Sequence, residues 1–145
     1  MGLIFYPLAS IFAAGNRAMV KPSEITPATA NIIKEGVEKY FDTSELAVIT
    51  GGPSVGEQFS RLNLDHLLFI GSNRVAKKVA AQAAKNLVPT TLELGGKSPT
   101  IIGTNANMAL AAERILFSKT LNAGQICLSP DSVSYTHLTL PTTEY

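Results

Sequence analysis

The sequence predicts an α/β fold: a parallel sheet covered by helices on both faces. Three observations carry that expectation. Short apolar strands alternate with amphipathic helices along the chain. The clearest strand, Leu46–Thr50 (LAVIT), has no charged residue, as strands buried on both faces tend to read. The connections are short, and two of them open on glycine, at Gly51–Gly52 and at Gly71.

Taken in order, the first stretch, Leu3–Ala14, is apolar and ends in small residues. No Lys or Arg precedes it and Pro7 interrupts it, which argues against a signal peptide. Tyr6 stands where N-myristoylation requires Ser or Thr. The stretch reads as a buried element whose natural cover is missing. Arg17–Lys21 is a strand, and Pro22 and Pro27 bracket a loop. Thr26 followed by Pro27 is an N-cap and a first helical position. The helix runs to about Phe41, with Ala30, Ile33, Val37, Tyr40 and Phe41 on one face and Lys34, Glu35, Glu38 and Lys39 on the wet side.

After Leu46–Thr50 and the glycine pair, Ser54–Leu62 is a short helix and His66–Ile70 a strand. A helix from Arg74 to Asn86 should turn Val75, Val79, Ala83 and Leu87 inward. Pro89–Leu94 and Thr100–Ile102 are extended. Asn107 caps a helix from Met108 to about Asn122, which Gly124 stops. From Val133 the chain reads VSYTHLTLPTTEY, without helical period and open to a short edge strand.

The totals bound the function. At 145 residues the chain is about one domain. Net charge is +1, which gives no bulk electrostatic case for nucleic acid or membrane binding. Mean hydropathy is +0.18, but no run of apolar residues is long enough for a membrane span. One cysteine excludes an internal disulfide framework and fits a reducing, cytoplasmic compartment.

In parallel α/β sheets, ligands bind where strands give way to helices. The loops to inspect are therefore 21–24, 51–56, 71–74 and 93–97. Lys21 and Glu24 can both hydrogen-bond ribose hydroxyls, or form a solvated surface pair. Gly51, Gly52 and Gly56 surround a strand-to-helix turn whose N–H groups suit a pyrophosphate, or make a plain turn. No G-x-G-x-x-G is present. Ser72, after Gly71, either caps a helix or meets a phosphate. GGKS at 95–98 is not a P-loop, because Thr91 stands where a glycine is needed and Pro99 where a helix should start.

The segment 92–130 carries the strongest chemistry. It opens with Glu93, a candidate general base if burial raises its pKa, and closes on the single thiol, Cys127, a candidate nucleophile. Read alone, Cys127 is equally a small buried hydrophobe and Glu93 a strand carboxylate facing water. His66 and His137 are poorly placed as partners, so a Cys–His protease fits badly. No metal site is indicated.

Four segments together, AAGNRAMVKPSEITP (13–27), FIGSNRV (69–75), LELGGKSP (92–99) and NAGQICLSP (122–130), resemble the NAD(P)-dependent aldehyde dehydrogenase family. The resemblance covers about residues 7–131, and its wording is similar to the coniferyl aldehyde dehydrogenase-like branch. It implies a Rossmann-like parallel sheet with helices on both faces, incomplete, running into the start of the catalytic domain. The implied division is a partial cofactor-binding domain at 1–94, the start of the catalytic domain at 95–132, and a tail unlike the family at 133–145.

The resemblance also implies roles. Cys127 attacks the aldehyde, giving a thiohemiacetal and then a thioester, and its backbone N–H is half of the oxyanion hole. Glu93 is the general base. Lys21 and Glu24 hold the adenosine ribose of NAD or NADP, Gly71 and Ser72 lie near its pyrophosphate, and Gly95 is in the turn that supports Glu93. The substrate is a small aldehyde, and the full-length family forms homo-oligomers.

The departures are specific. The family's upstream P-W-N segment, whose Asn completes the oxyanion hole, has no counterpart before Pro7. The downstream E-x-F-G-P segment is absent, and Ala76 replaces a usual glycine. The expectation is a fragment with a foreign tail and little activity of its own. Two other readings stay open: a non-enzymatic remnant that at most binds nucleotide weakly, and an acyl-thioester enzyme using Cys127.

Overall fold

A computed structural model of the chain describes residues 2–135. The chain divides into two compact units, one of residues 1–70 and 74–93, the other of residues 71–73 and 94 onward. Both are α/β with parallel strands, as expected.

The first unit begins with helix α1 (Gly2–Ala13). Strand β1 (Ala18–Val20), helix α2 (Pro27–Tyr40) and strand β2 (Leu46–Val48) follow. β1 and β2 pair in parallel, Ala18 opposite Leu46 and Val20 opposite Val48. The amide of Ile49 extends the ladder by donating to the Val20 carbonyl at 2.8 Å. Leu8, Ile33, Val37, Leu46 and Val48 form the core here, with Ile4, Ile11 and Phe12 packed against it. Ile4, Leu8 and Ile11 share the inner face of α1 by helical spacing. Only that face is covered: Leu3, Phe5 and Tyr6 are exposed, so the N-terminal stretch is half-packed rather than buried.

The covered face of α2 contains Ala30, Ile33 and Val37 as expected, but Tyr40 and Phe41 are exposed. They sit at the last turn and C-cap, beyond the short β1–β2 pair. Pro27 occupies the first turn, and Thr26 makes no side-chain capping bond. Helix α3 (Pro53–Phe59), strand β3 (Leu67–Ile70), helix α4 (Asn73–Ala83), a 3₁₀ turn (Ala84–Asn86) and strand β4 (Thr90–Glu93) complete this part of the chain.

β3 and β4 pair in parallel from Leu67–Thr90 to Ile70–Glu93. Their core is Leu67, Ala83 and Val88, with Leu64, Phe69 and Val79 at its edge. The inward face of α4 matches the expected one at Val79 and Ala83 but not at Val75 and Leu87. Ala76 is 2% exposed and Ala83 fully covered, whereas Val75 is 39% and Leu87 90% exposed. Small alanines take the closest positions, and the backbone turns left-handed at Leu87 (φ 55°).

In the second unit, strand β5 (Ser98–Ile102) is followed by helix α5 (Met108–Thr120), a 3₁₀ turn (Leu121–Gly124) and strand β6 (Pro130–Tyr135). Asn107 caps α5 as expected, its side-chain oxygen accepting from the Leu110 amide at 3.1 Å. The helix ends earlier than expected, because Asn122 and Ala123 already have positive φ before Gly124. β5 and β6 pair in parallel, Ser98 opposite Pro130 and Ile102 opposite Tyr135, with an irregularity between Ser98 and Pro99. β6 takes in residues 133–135 of the expected tail. His137 and the rest of that tail lie outside the described residues.

Among the described residues the strands pair two by two, in three short parallel sheets rather than one continuous sheet. No helix among the described residues is long and apolar enough to cross a membrane.

Candidate functional site

The exit of β1 carries the first group of candidate residues. Lys21 follows the strand directly, and Pro22 and the Ser23–Thr26 turn fold the chain back. Ser23 Oγ accepts from the Ile25 amide at 3.3 Å. That turn brings Glu24 under Lys21, whose Nζ donates to Glu24 Oε2 at 2.7 Å. The Lys21 side chain is only 13% exposed, while that of Glu24 is 40% exposed. The lysine stem lies along Gly56 of α3, where a Cβ would come within 3.6 Å of its Cε.

The bond from Lys21 holds the Glu24 carboxyl below the usual carboxylate range. Lys21, Glu24 and Gly56 of α3 thus meet at one place. Gly51 has φ +151°, a conformation favouring glycine, and Gly52 is the N-cap of α3.

Gly71 and Ser72 are exposed, at the turn between β3 and α4, and belong to the second unit. Glu93 is the last residue of β4, paired with Ile70, and it is exposed. The burial expected of a general base is therefore not found here. Gly95 is exposed in the turn from β4 to β5, with open space where a Cβ would stand. His66 donates to or accepts from Thr91 Oγ1 at 2.9 Å across the start of β3 and β4, which gives it a structural partner.

Cys127 is exposed, in the loop between the 3₁₀ turn and β6. The neighbouring chain grips its backbone. Ser98 Oγ, at the start of β5, donates to the Cys127 carbonyl oxygen at 3.1 Å. Gly96 approaches so closely that a Cβ there would collide with the same oxygen. Four residues on, Asp131 accepts from Lys97 Nζ at 2.9 Å and from Lys119 Nζ at 3.2 Å. These two bonds, that from Lys97 foremost, hold the Asp131 carboxyl below its usual range.

Sequence reading did not single out Ser98, Lys97 or Asp131. The signal that could have found them was the mutual approach of GGKSP and CLSPD, which pairing β5 with β6 makes unavoidable. Among the described residues no group of three His, Cys, Asp or Glu is arranged to hold a metal ion.

The sequence profile described as the aldehyde dehydrogenase family matches residues 1–136. A probable coniferyl aldehyde dehydrogenase of Caulobacter vibrioides is 59% identical over 133 residues, covering 92% of this chain and 27% of its own length. Coniferyl aldehyde dehydrogenase of a Pseudomonas species is 56% identical over 131 residues, covering 90% and 27%. The chain thus spans about a quarter of the length of these curated relatives.

Among solved structures, that of Staphylococcus aureus AldH in a substrate-bound state aligns with a TM-score of 0.84 at 44% identity, over 93% of this chain and 30% of the other. A betaine aldehyde dehydrogenase variant from the same organism, in complex with NAD+, aligns with a TM-score of 0.79 at 33% identity, over 90% and 27%.

Proposed function

From the premise that the chain belongs to the aldehyde dehydrogenase family, we propose that it forms part of an enzyme oxidising aldehydes to carboxylic acids with NAD(P)+, using Cys127 as nucleophile. The observation that carries this reading is the family match through residues 1–136, which contains both LELGGKSP and NAGQICLSP.

The Cys127 thiolate adds to the aldehyde carbonyl carbon, and its own backbone N–H lies next to the oxygen on which negative charge develops. After hydride loss the acyl group stays on Sγ as a thioester. Glu93 takes a proton from the water that cleaves it, releasing the acid and the free thiol. The solvent exposure of Cys127 supports access for such a substrate.

The residues at the β1 exit fit a dinucleotide. Glu24 offers an acceptor and Lys21 a donor for vicinal hydroxyls, and the Lys21 stem packs over Gly56 of α3. NAD(P)+ bound there supplies the hydride acceptor. Gly71, Ser72 and Gly95 belong to the same reading, as the pyrophosphate-side turn and the support of Glu93. The negative charge of Glu24 favours the free 2′-hydroxyl of NAD, while Lys21 tolerates a phosphate. The relatives point to coniferyl aldehyde as the substrate to test first. A cytoplasmic location, the division near residue 94 and a homo-oligomer of the full-length protein complete the proposal.

The test is a chimaera in which this chain replaces the matching segment of the Caulobacter relative. Coniferyl-aldehyde-dependent NADH formation is expected, abolished by Cys127→Ala and reduced at least about 100-fold by Glu93→Gln. Full activity in the Cys127→Ala chimaera would sink the reading. The 145-residue chain alone is expected to run at least about 100-fold slower than the chimaera. Saturable NADH binding without turnover, in chain and chimaera alike, would favour the nucleotide-binding remnant instead.

A further inference from the structure

Resting on the reading of Cys127 as nucleophile, we propose that Ser98 is a positioning residue that fixes the peptide plane following Cys127, and that Gly96 provides the space for it. Two contacts converge on one carbonyl oxygen, and the strand register places both beside it. Ser98 Oγ donates to it at 3.1 Å. Gly96 comes so close that any side chain would push the oxygen off that hydroxyl. The β5–β6 pair begins with Ser98 opposite Pro130, three residues beyond Cys127, so the strand register holds the donor and the loop at one separation.

A carbonyl held in one direction fixes ψ of Cys127. With it goes the orientation of the residue from which both the thiol and the proposed oxyanion donor project. The Cys127 side chain is exposed, so the hydroxyl orients this residue through its backbone. Ser98 touches neither thiol nor substrate in this role. It acts through the backbone, and small misplacements of a reacting group are costly.

The chain contains a single cysteine, so cysteine labelled with carbon-13 at its carbonyl gives one resonance, from the oxygen in question. In the 145-residue chain, Ser98→Ala should move and broaden that resonance while the amide signals of the β1–β2 unit stay in place. Ser98→Thr keeps the hydroxyl and should leave it near its native position. Ser98→Val, isosteric with the threonine variant but without its hydroxyl, suits a strand equally well and should move it. Coincident Thr and Val spectra, or an Ala resonance unchanged from the native one, would overturn the proposal.

A second readout separates this from the nucleophile reading. In the chimaera, acylation of Cys127 by coniferyl aldehyde with NAD+, followed by mass spectrometry in a single turnover, should be about fivefold slower in Ser98→Ala and restored by Ser98→Thr. Equal rates with and without the hydroxyl would defeat the positioning role even if the carbonyl resonance moves. No thioester in the chimaera with Ser98 intact would instead defeat the nucleophile reading, and the positioning role with it, while the carbonyl result still stood as a hydrogen bond.

Discussion

At Leu87 the backbone takes a left-handed turn that costs an ordinary L-residue strain, yet the side chain recovers almost nothing, being 90% exposed. The turn leads from the 3₁₀ end of α4 into Val88, whose amide donates to the Ala83 carbonyl. Glycine accepts this conformation without a Cβ penalty. Leu87→Gly should therefore stabilise the chain by about 0.5–1 kcal/mol, seen as a higher urea midpoint at unchanged slope.

Leu87 also marks a limit of sequence reading. Its apolar side chain and its place in the periodicity put it on the inner face, and only the dihedral turns it out. Val75 misleads in the same way, since Ala76, one residue on, faces the core. Cys127, Glu93, Lys21 and Glu24 stood out because each is a chemically distinctive residue at a strand end or in a connecting loop. Ser98 was silent, because its role is a contact with a residue 29 positions away and nothing local announces it.

At the scale of the element, the tie between α5 and β6 depends on one carboxylate. Asp131 accepts from Lys97 and Lys119, and its pKa is depressed, by the Lys97 bond first. A depressed carboxyl contributes fully above the unfolded value, near about 3.9, and its contribution is lost as pH falls through the lower folded value. The tie should be intact at neutral pH and open only in acid. Following the Asp131 side-chain carboxyl carbon by NMR should give a midpoint below the ordinary aspartate value, returning to it when Lys97 and Lys119 are both changed to Met. A native midpoint at or above that value would refute the ion pairs.

The elements themselves were largely legible. The alternation of strands and helices, the Asn107 cap and the Ala30–Ile33–Val37 stripe all followed from local pattern. The break into three strand pairs did not, because pairing partners are set by packing between distant segments.

For the whole molecule, the balance of covered and open apolar surface decides behaviour in solution. The side chains of Phe5, Ile32, Tyr40 and Phe41 border an apolar hollow of about 240 Å³ in the first unit. Leu3 and Tyr6 stand open on α1, and Leu116 and Phe117 on α5. Contiguous exposed apolar surface drives association. The purified chain should self-associate with rising concentration in sedimentation velocity, and Ile32→Glu with Tyr40→Glu should shift it toward monomer. A chain that stays monomeric across the accessible range would count against this.

The three parallel strand pairs carry a consequence for the order in which the chain acquires structure. No parallel pair can close as a hairpin, so each strand must wait for a partner that comes a whole helix later. On a ribosome, β1–β2 and β3–β4 can form while the rest is still being made. β5 waits for Pro130–Tyr135 to emerge, and until then Ser98 has no fixed carbonyl to meet. The thiol is synthesised before the strand that confines its loop, so in that interval the β5–β6 pairing does not yet restrain it.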